Sequence, residues 1–281
     1  MLSIYLHFGM AVWDYFSSKR KCGGKITDRN KVEFIRKLWR LLQKAYHCNM
    51  IASFPILYED DYLIAINKPT GILVHRTRIS EDKTFVLQLL RKQIGQRIYP
   101  IHRLDRATSG VLIFGKNKEG ASLLSEQFRA KKVEKQYLGI IRGYVEDAAI
   151  IDYPLAKETW LPKKEAISHY RRIAQTEIQV PIGRYQTARY SLVEVQLETG
   201  RRHQIRRHFS HLRHPIIGDK KHGDVKHNKH WANEFGIARM LLHAQHMQFN
   251  HPETGKNTLI YAPIDSAFQE ALDLLNFQFS I

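Results

Sequence analysis

The sequence predicts an α+β fold, and two observations carry this prediction. Predicted strands and helices follow one another irregularly, without the regular strand-helix-strand period that builds a parallel sheet. The chain also contains no internal repeat of the kind that solenoids and propellers show. Hydrophobic residues make up 43% of the 281 residues and charged residues 25%, which is typical of a globular protein with a full core. We therefore expect one large domain.

The first predicted elements are a hairpin and a helix. Residues 56–58 and 62–67 predict two strands joined by an acidic turn, and Lys68-Pro-Thr-Gly71 forms a second turn after them. Residues 82–94 predict a helix that ends at Gly95. The apolar residues that share one face of this helix are Val86, Leu89, Leu90 and Ile94.

The later predicted elements are three strands and two helices. Residues 111–114 predict a buried strand and residues 135–142 a second one. Residues 190–198 alternate between apolar and polar side chains, which predicts a half-buried strand. One helix follows the first of these strands and another follows the third. Their apolar stripes are Ala121, Leu124 and Phe128 in the first helix, and Ile205, Phe209 and Leu212 in the second.

The net charge of the chain predicts a polyanionic partner. Lysine and arginine total 44 against 27 acidic residues, which gives a net charge of +17, and nucleic acid is the leading candidate. No apolar run approaches the roughly 18 residues that a membrane-spanning helix needs. Residues 1–13 lack the basic start and the cleavage site of a signal peptide, and two cysteines are too few for a disulfide framework. These features predict a cytoplasmic protein without membrane association.

Residues 1–49 form a basic N-terminal extension. They contain ten Lys or Arg against three acidic residues, a net charge of +7. One interpretation is an RNA-binding arm with a basic amphipathic helix. The other is an over-extended reading frame, because Met50 opens a segment that resembles a natural protein start. We favour the second interpretation and place the domain at residues 50–281.

The segment from His102 to Lys116 contains the strongest candidate for a reactive residue. Asp105 lies between Arg103 and Arg106, whose positive charges favour an ionised carboxylate at neutral pH. The same arginines suit phosphate groups, so the segment combines a reactive group with a means of holding nucleic acid. A surface ion pair at a strand end is the alternative, since most such neighbours are structural.

A second polar motif lies at residues 199–208, where a predicted strand passes into a helix. Free backbone N–H groups and the positive end of the helix dipole make such a junction suitable for phosphate or carboxylate. If Arg206 met Asp105 in a cleft, it would hold the acid ionised and oriented. Tyr137, on a predicted strand beside Lys135, has the chemistry to stack on a base. The alternatives are a solvated helix face and ordinary strand packing.

Histidines crowd residues 203–230, which raises the question of a metal site. The segment lacks a His-Glu-x-x-His pattern and any cysteine, and its only carboxylates are Asp219 and Asp224. The chain also lacks a glycine-rich phosphate loop of nucleotide-binding type. We therefore expect neither a metal nor a nucleotide cofactor.

Three motifs occur in a fixed order along the chain: His102-Arg-Leu-Asp-Arg-x-Thr-Ser-Gly-Val-Leu, Lys135-Gln-Tyr137, and Thr199-Gly-Arg-x-His-Gln-Ile-Arg206. Asn67-Lys-Pro-x-Gly precedes them and His214-Pro-Ile-Ile-Gly-Asp219 follows them. Together these motifs resemble the RluA-type pseudouridine synthases over residues 50–281. Three further motifs, at residues 183–190, 207–214 and 221–224, resemble the subgroup called tRNA pseudouridine synthase C.

The resemblance implies a fold and a reaction. The fold would be a bent, mixed, mostly antiparallel sheet with flanking helices and a central catalytic cleft. The reaction would isomerise uridine to pseudouridine in tRNA, at position 65 for this subgroup, on a flipped-out nucleotide and without a cofactor. The C–N glycosidic bond would break, the uracil would turn while held, and a C–C bond would form.

The resemblance also implies roles for particular residues. Asp105 would be the catalytic carboxylate, Arg206 its ion-pair partner, and Tyr137 the residue that stacks on the uracil. The residues expected to hold RNA are His102, Arg103, Arg106, Arg202, His203 and Lys135. We expect a monomer. The alternatives are a ribosomal-RNA synthase of the same family, a non-catalytic RNA-binding protein, and a metal-dependent RNA hydrolase.

Overall fold

The computed structural model describes residues 53–76, 84–158 and 160–278. Within these ranges the strands are β1 (Ile56–Glu59), β2 (Leu63–Lys68), β3 (Tyr99–Pro100), β4 (Ser109–Gly115), β5 (Glu134–Arg142), β6 (Ala148–Asp152), β7 (Leu155–Ala156), β8 (Lys163–Lys164), β9 (Ile167–Ile178), β10 (Ala188–Leu197), β11 (Leu242–Asn250) and β12 (Asn257–Tyr261). The helices are α1 (Val86–Ile94), α2 (Lys118–Arg129), α3 (Gln204–His211), α4 (Val225–Glu234) and α5 (Ser266–Leu274).

The described strands form one large sheet and one small ribbon. The order in the sheet is β1-β2-β4-β11-β5-β10-β9-β6, with β12 beside β11 and β3 beside β4, while β7 and β8 pair separately. Strands β4 and β11 run parallel, and the other neighbours in the described sheet run antiparallel. The α+β prediction and the mixed, mostly antiparallel sheet are confirmed.

Most predicted elements are present within two residues of their expected limits. The first hairpin is β1 and β2, and the three later strands are β4, β5 and β10. Helix α1 differs, because it begins at Val86 rather than at residue 82. Phe85 is extended and its side chain is buried. The N–H groups of Val86 and Leu87 donate to the carbonyls of Leu73 and Val74 at 2.9 and 3.0 Å, which satisfies the open helix start. Residues 82 and 83 of the prediction lie outside the described ranges.

Two apolar clusters cover different parts of the sheet. In one, Trp231 of α4 and Phe268 of α5 pack against β5 and β10, including Leu138 and Tyr190. In the other, Leu124 of α2 packs against β2, β4 and β11. The first cluster explains why β10 is less amphipathic than predicted, because helices cover the side of the strand that carries Tyr190. Successive side chains of a strand point to opposite faces, so Tyr137 lies on the face away from Trp231.

One row of paired residues crosses four neighbouring strands of the sheet and positions the elements that carry the polar motifs. Gly110 of β4 lies opposite Ala244 of β11, which lies opposite Tyr137 of β5, which lies opposite Val195 of β10. Strand β4 begins and β10 ends close to this row. Gly110 has a φ of 113°, and a Cβ there would lie 2.1 Å from the carbonyl oxygen of Ala244. Glycine is therefore required where the two parallel strands meet.

The described residues from Ser53 onward form one compact unit. The predicted basic extension at residues 1–49 lies outside them. None of the helices in the described ranges has the length and apolar character needed to cross a membrane.

Candidate active site

Asp105 lies in a turn that leads into β4. The N–H of Thr108 donates to the carbonyl of Asp105 at 3.1 Å, which closes the turn. The buried ammonium group of Lys68, at the end of β2, donates to the carbonyls of Thr108 at 2.8 Å and Arg106 at 3.3 Å. Burial and the nearby charge of Arg239 lower the pKa of Lys68 to about 7, although Asp105 opposes this shift. Lys68 therefore ties the turn that carries Asp105 to the neighbouring strand.

The turn after β2 braces the same segment from outside. The hydroxyl of Thr70 donates to the carbonyl of Ala107 at 2.8 Å, and the N–H of Gly71 donates to the carbonyl of Arg106 at 2.8 Å. The side chain of Arg106 returns a hydrogen bond to the carbonyl of Gly71 at 2.9 Å. The sequence motif Asn67-Lys-Pro-Thr-Gly71 thus acts as a support for Asp105.

Arg206 joins two carboxylates. Its Nε and one terminal nitrogen donate to the two oxygens of Asp219 at 2.7 and 2.8 Å, and the other terminal nitrogen donates to Oδ2 of Asp105 at 3.0 Å. Arg206 and Asp219 are both buried. The planar guanidinium suits such a paired contact and still leaves one nitrogen for another acceptor. The predicted meeting of Arg206 with Asp105, 101 residues apart, is present.

The network around Asp219 explains how the arginine stays charged in a buried place. Burial by itself would lower the pKa of Arg206, but hydrogen bonds and charge from Asp219 and Asp105 raise it. Burial would raise the pKa of Asp219, but Arg206 and the backbone N–H groups of His222 and Lys221 lower it. Both N–H groups donate to Oδ1 of Asp219, at 3.0 and 2.9 Å. Asp219 is therefore an anionic anchor for Arg206.

Tyr137 contributes an aromatic surface beside the acid. Its side chain is only 8% exposed and contributes to the wall of the cavity that contains Asp105. Burial, together with the negative charge of Asp105, raises the pKa of the Tyr137 phenol above its ordinary value. Tyr137 is therefore a neutral phenol at physiological pH.

The cavity has a volume of about 620 Å³, within the range of small-molecule sites. Its walls come from the turn before β4, from β5, from the β7–β8 ribbon and from the start of α3. Charged groups lie beside apolar ones in this lining. The residues that the site uses are Arg103, Asp105, Tyr137, Arg202, His203 and Arg206.

His203 lies next to Asp105 at the start of α3. Its Nε2 is 3.8 Å from Oδ1 of Asp105, and its Nδ1 is 3.0 Å from Nε2 of His222. Burial lowers the pKa of His203 to about 4, a shift that the charge of Asp105 partly opposes. Burial also lowers the pKa of His222. Both imidazoles are therefore neutral at neutral pH.

The residues predicted to hold RNA separate into two groups. Arg103, Arg202 and His203 line the cavity, and Arg202 also pairs with Glu158 at 3.0 Å. Arg106, Lys135 and His102 are not among the lining residues. Arg106 supports the turn at Gly71 instead, as described above.

His102 and Lys135 have structural surroundings that the sequence did not indicate. Nε2 of His102 accepts the backbone N–H of Ile113 at 3.0 Å, and the ring stacks on Phe128 with centroids 4.9 Å apart. Burial lowers the pKa of His102 to about 3, so the ring is a neutral acceptor. Lys135 is buried, and burial together with the charge of Lys131 lowers its pKa. For both residues, RNA contact stays a prediction without support from their placement.

Three residues of the site were not predicted as such: Lys68, Asp219 and His222. All three lay within motifs noted in the sequence: Lys68 follows Asn67, Asp219 follows a glycine, and His222 belongs to the motif at residues 221–224. A buried arginine requires a buried anion, and this rule would have pointed to a carboxylate near Arg206. Within the described ranges, there is no group of three His, Cys, Asp or Glu side chains placed to hold a metal ion.

Comparison with known proteins gives matches over most of this chain. A family profile described as "RNA pseudouridylate synthase" matches residues 62–211. The protein named tRNA pseudouridine synthase C from Pectobacterium carotovorum subsp. carotovorum is 46% identical over 235 residues, covering 80% of this chain and 62% of that protein. The protein of the same name from Yersinia pestis is 45% identical over 227 residues, covering 76% of this chain and 88% of that protein.

Solved structures show the same fold. The structure titled "Human RNA Pseudouridylate Synthase Domain Containing 4" aligns with a TM-score of 0.62 at 24% identity, covering 84% of this chain and 96% of that chain. The structure titled "Human RNA Pseudouridylate Synthase Domain Containing 1" aligns with a TM-score of 0.61 at 21% identity, covering 82% of this chain and 97% of that chain. At these identities the likeness concerns the fold.

Proposed function

The chain belongs to the RNA pseudouridylate synthase family, and from this premise we propose that it isomerises uridine to pseudouridine in tRNA. The observation that carries the proposal is the hydrogen bond of 3.0 Å from Arg206 to Asp105, inside a cavity that Tyr137 also lines. An ionised carboxylate held by a buried arginine is suited to start the cleavage of a glycosidic bond. Asp105 is the catalytic carboxylate in this proposal.

The other residues have roles that follow from their positions. Arg206 orients the carboxylate of Asp105 through its hydrogen bond. Tyr137 stacks on the uracil, an interaction worth about 1–3 kcal/mol per base. This stacking offsets part of the few kcal/mol that flipping a nucleotide out of a helix costs. Water must be kept from the broken glycosidic bond, and a partly enclosed cavity serves that purpose.

RNA binding draws on the charge of the protein. The net charge of +17 favours a polyanion, and Arg103 and Arg202 bring positive charge to the cavity. The relatives named tRNA pseudouridine synthase C support tRNA as the substrate, and the subgroup motifs support position 65. We propose that the protein acts as a monomer in the cytoplasm and needs no nucleotide cofactor.

Replacement of Asp105 by asparagine tests the proposed function. The side chain keeps its size, but the anion is lost, so we expect no pseudouridine while tRNA binding stays within a few fold of the wild type. Mass spectrometry of the treated tRNA measures the product. Asp147→Asn is the matched control, because its carboxylate is 89% exposed and is not among the cavity residues. Full activity of Asp105→Asn would remove Asp105 from the mechanism.

Mapping of pseudouridine in cellular RNA tests the substrate. Cells that lack this protein should lose one pseudouridine in tRNA, at position 65, and keep those in ribosomal RNA. Loss of a ribosomal-RNA site in place of the tRNA site would identify the related ribosomal-RNA activity.

A further inference from the structure

Trp160 is the most exposed large hydrophobic residue in the part of the chain that the structure describes. It is 78% exposed, whereas Trp231 of α4 is fully buried. Tryptophan is a residue that proteins bury over most of its surface. Single exposed apolar residues are nevertheless common, so the exposure of Trp160 acquires meaning only from its position and its surroundings.

Trp160 lies at the tip of the ribbon that β7 and β8 form. The two strands pair antiparallel, and the N–H of Leu161 donates to the carbonyl of Glu158 at 3.0 Å, which closes a turn between them. A residue at the tip of such a turn has few neighbours to pack against. The ring of Trp160 is therefore open to a binding partner.

Two contacts attach the ribbon to the segment that carries Arg206. The guanidinium of Arg202 pairs with the carboxylate of Glu158 at 3.0 Å. The guanidinium of Arg207, in α3, donates to the carbonyl of Ala156 at 2.8 Å. Because the same helix carries Arg206, these contacts fix the ribbon relative to the candidate active site.

Trp160 lies at the rim of the cavity, outside its lining. The next two residues along the chain, Leu161 and Pro162, line the cavity together with Asp105 and Tyr137, but Trp160 does not. In the proposed function the flipped uridine occupies the cavity. Trp160 is therefore placed to meet a nucleotide that stays outside.

The charge of the ribbon suits a nucleic acid. Its exposed cations are Lys157, Lys163 and Lys164. The nearby acidic residues, Glu158 and Glu165, each pair with a basic residue outside the ribbon, at 3.0 and 2.9 Å. An aromatic ring among lysines is the combination that binds unpaired bases and their phosphates. A second copy of this chain fits less well, since its own net charge is also +17.

We propose that Trp160 stacks on an RNA base that neighbours the flipped uridine. This inference rests on the proposed function and deepens it. When the uridine leaves the helix, the bases beside it lose a stacking partner, and the indole ring of Trp160 replaces that partner. Stacking of one base on an aromatic ring changes affinity by about 5- to 150-fold. Trp160 thus offsets part of the cost of flipping, without contact with the reacting atoms.

Trp160→Leu tests this inference, because leucine keeps an apolar side chain but lacks a ring. In single-turnover assays on tRNA, the protein concentration that gives half of the maximal rate should rise about 5- to 150-fold. Trp160→Phe should stay close to the wild type, because its ring still stacks. Tyr185→Ala is the matched control, since Tyr185 is also an exposed aromatic residue, 57% exposed, but lies at the other end of β10 and outside the cavity lining.

A tRNA that lacks one base identifies the partner of Trp160. Two tRNAs are made with an abasic nucleotide on the 5′ or on the 3′ side of the target uridine. On one of them the wild type and Trp160→Leu should have the same half-saturating concentration, because the stacking partner is gone.

Three results would overturn the inference. They are an unchanged half-saturating concentration of Trp160→Leu on natural tRNA, a difference from the wild type that persists on both abasic tRNAs, and a change in oligomeric state that shows the ring to be covered by a second copy. A wild-type protein that forms no pseudouridine would instead refute the proposed function.

Discussion

Replacement of Asp219 by alanine tests the idea that one buried carboxylate holds the site together. Asp219 is 1% exposed and accepts four hydrogen bonds, two from Arg206 and two from backbone N–H groups. The alanine variant leaves the buried guanidinium of Arg206 with Asp105 as its remaining carboxylate partner. It also leaves two N–H groups without their acceptor.

The expected magnitude follows from this loss. Breaking a buried ion pair by removing one partner costs about 3–5 kcal/mol. For a domain of this size each kcal/mol lowers the melting temperature by about 2–4 °C, so we expect a decrease of about 6–20 °C. Activity should fall further than the folded fraction explains, because Arg206 no longer holds Asp105 in one orientation.

Thermal unfolding followed by circular dichroism measures the first effect, and single-turnover assays below the melting temperature measure the second. Asp147→Ala is the control, because it removes a carboxylate from an exposed ion pair with Arg172. Exposed pairs contribute about 0–1 kcal/mol, so the control should melt within about 4 °C of the wild type. If Asp219→Ala also melts within that range, the network does not have the role that we assign to it.

Two further predictions concern stability. The pKa values of His102, His203, His227 and His243 are lowered by burial to about 3, 4, 4 and 4, while the unfolded chain protonates these residues near 6.5. Between these pH values the unfolded state binds more protons than the folded state, so the free energy of unfolding should fall as pH falls from 6.5 to 4. The decrease should be up to about 1.4 kcal/mol per pH unit for each histidine. Urea unfolding measures it, and a midpoint that stays constant over this pH range would contradict the prediction. Gly110→Ala should yield little soluble protein, because its Cβ would lie 2.1 Å from the carbonyl oxygen of Ala244. Gly200→Ala is the control and should express normally, because its Cβ would have no atom within 4 Å. Equal soluble yields of the two variants would show that β4 can shift.

Local patterns predicted most of the individual elements, and their errors have physical causes. The turns that flank β2 and the apolar stripe of α2 depend on neighbours along the chain, so the sequence predicts them. The start of α1 was wrong, because the carbonyls that satisfy its first N–H groups belong to Leu73 and Val74. The partial loss of alternation in β10 has a similar cause, since α4 and α5 cover one of its faces.

In the candidate site, too, some features were predicted from the sequence and others depend on tertiary contacts. The pairing of Asp105 with Arg206 was predicted as what the family resemblance implies, and the structure contains this pair. The catalytic role of Asp105 stays a prediction. The structural contacts of His102 and Arg106 were not predicted. His102 accepts a hydrogen bond from the backbone of β4, and Arg106 donates one to the backbone of the turn at Gly71. The amino-acid sequence does not show which backbone groups lie near a side chain after folding.

The sequence by itself determined the fold class, most strands and helices, and the motif that contains Asp105, since these follow from local propensity and from residue chemistry. The tertiary structure alone decided that Lys68 supports the turn of that acid and that Asp219 holds its partner Arg206. Lys68 lies at the end of β2, far along the chain from Arg206 and Asp219, and folding brings these two segments to the turn that carries Asp105. Hydrogen bonds and ion pairs act over a few ångströms in space, so partners that are far apart in the chain become visible only after folding.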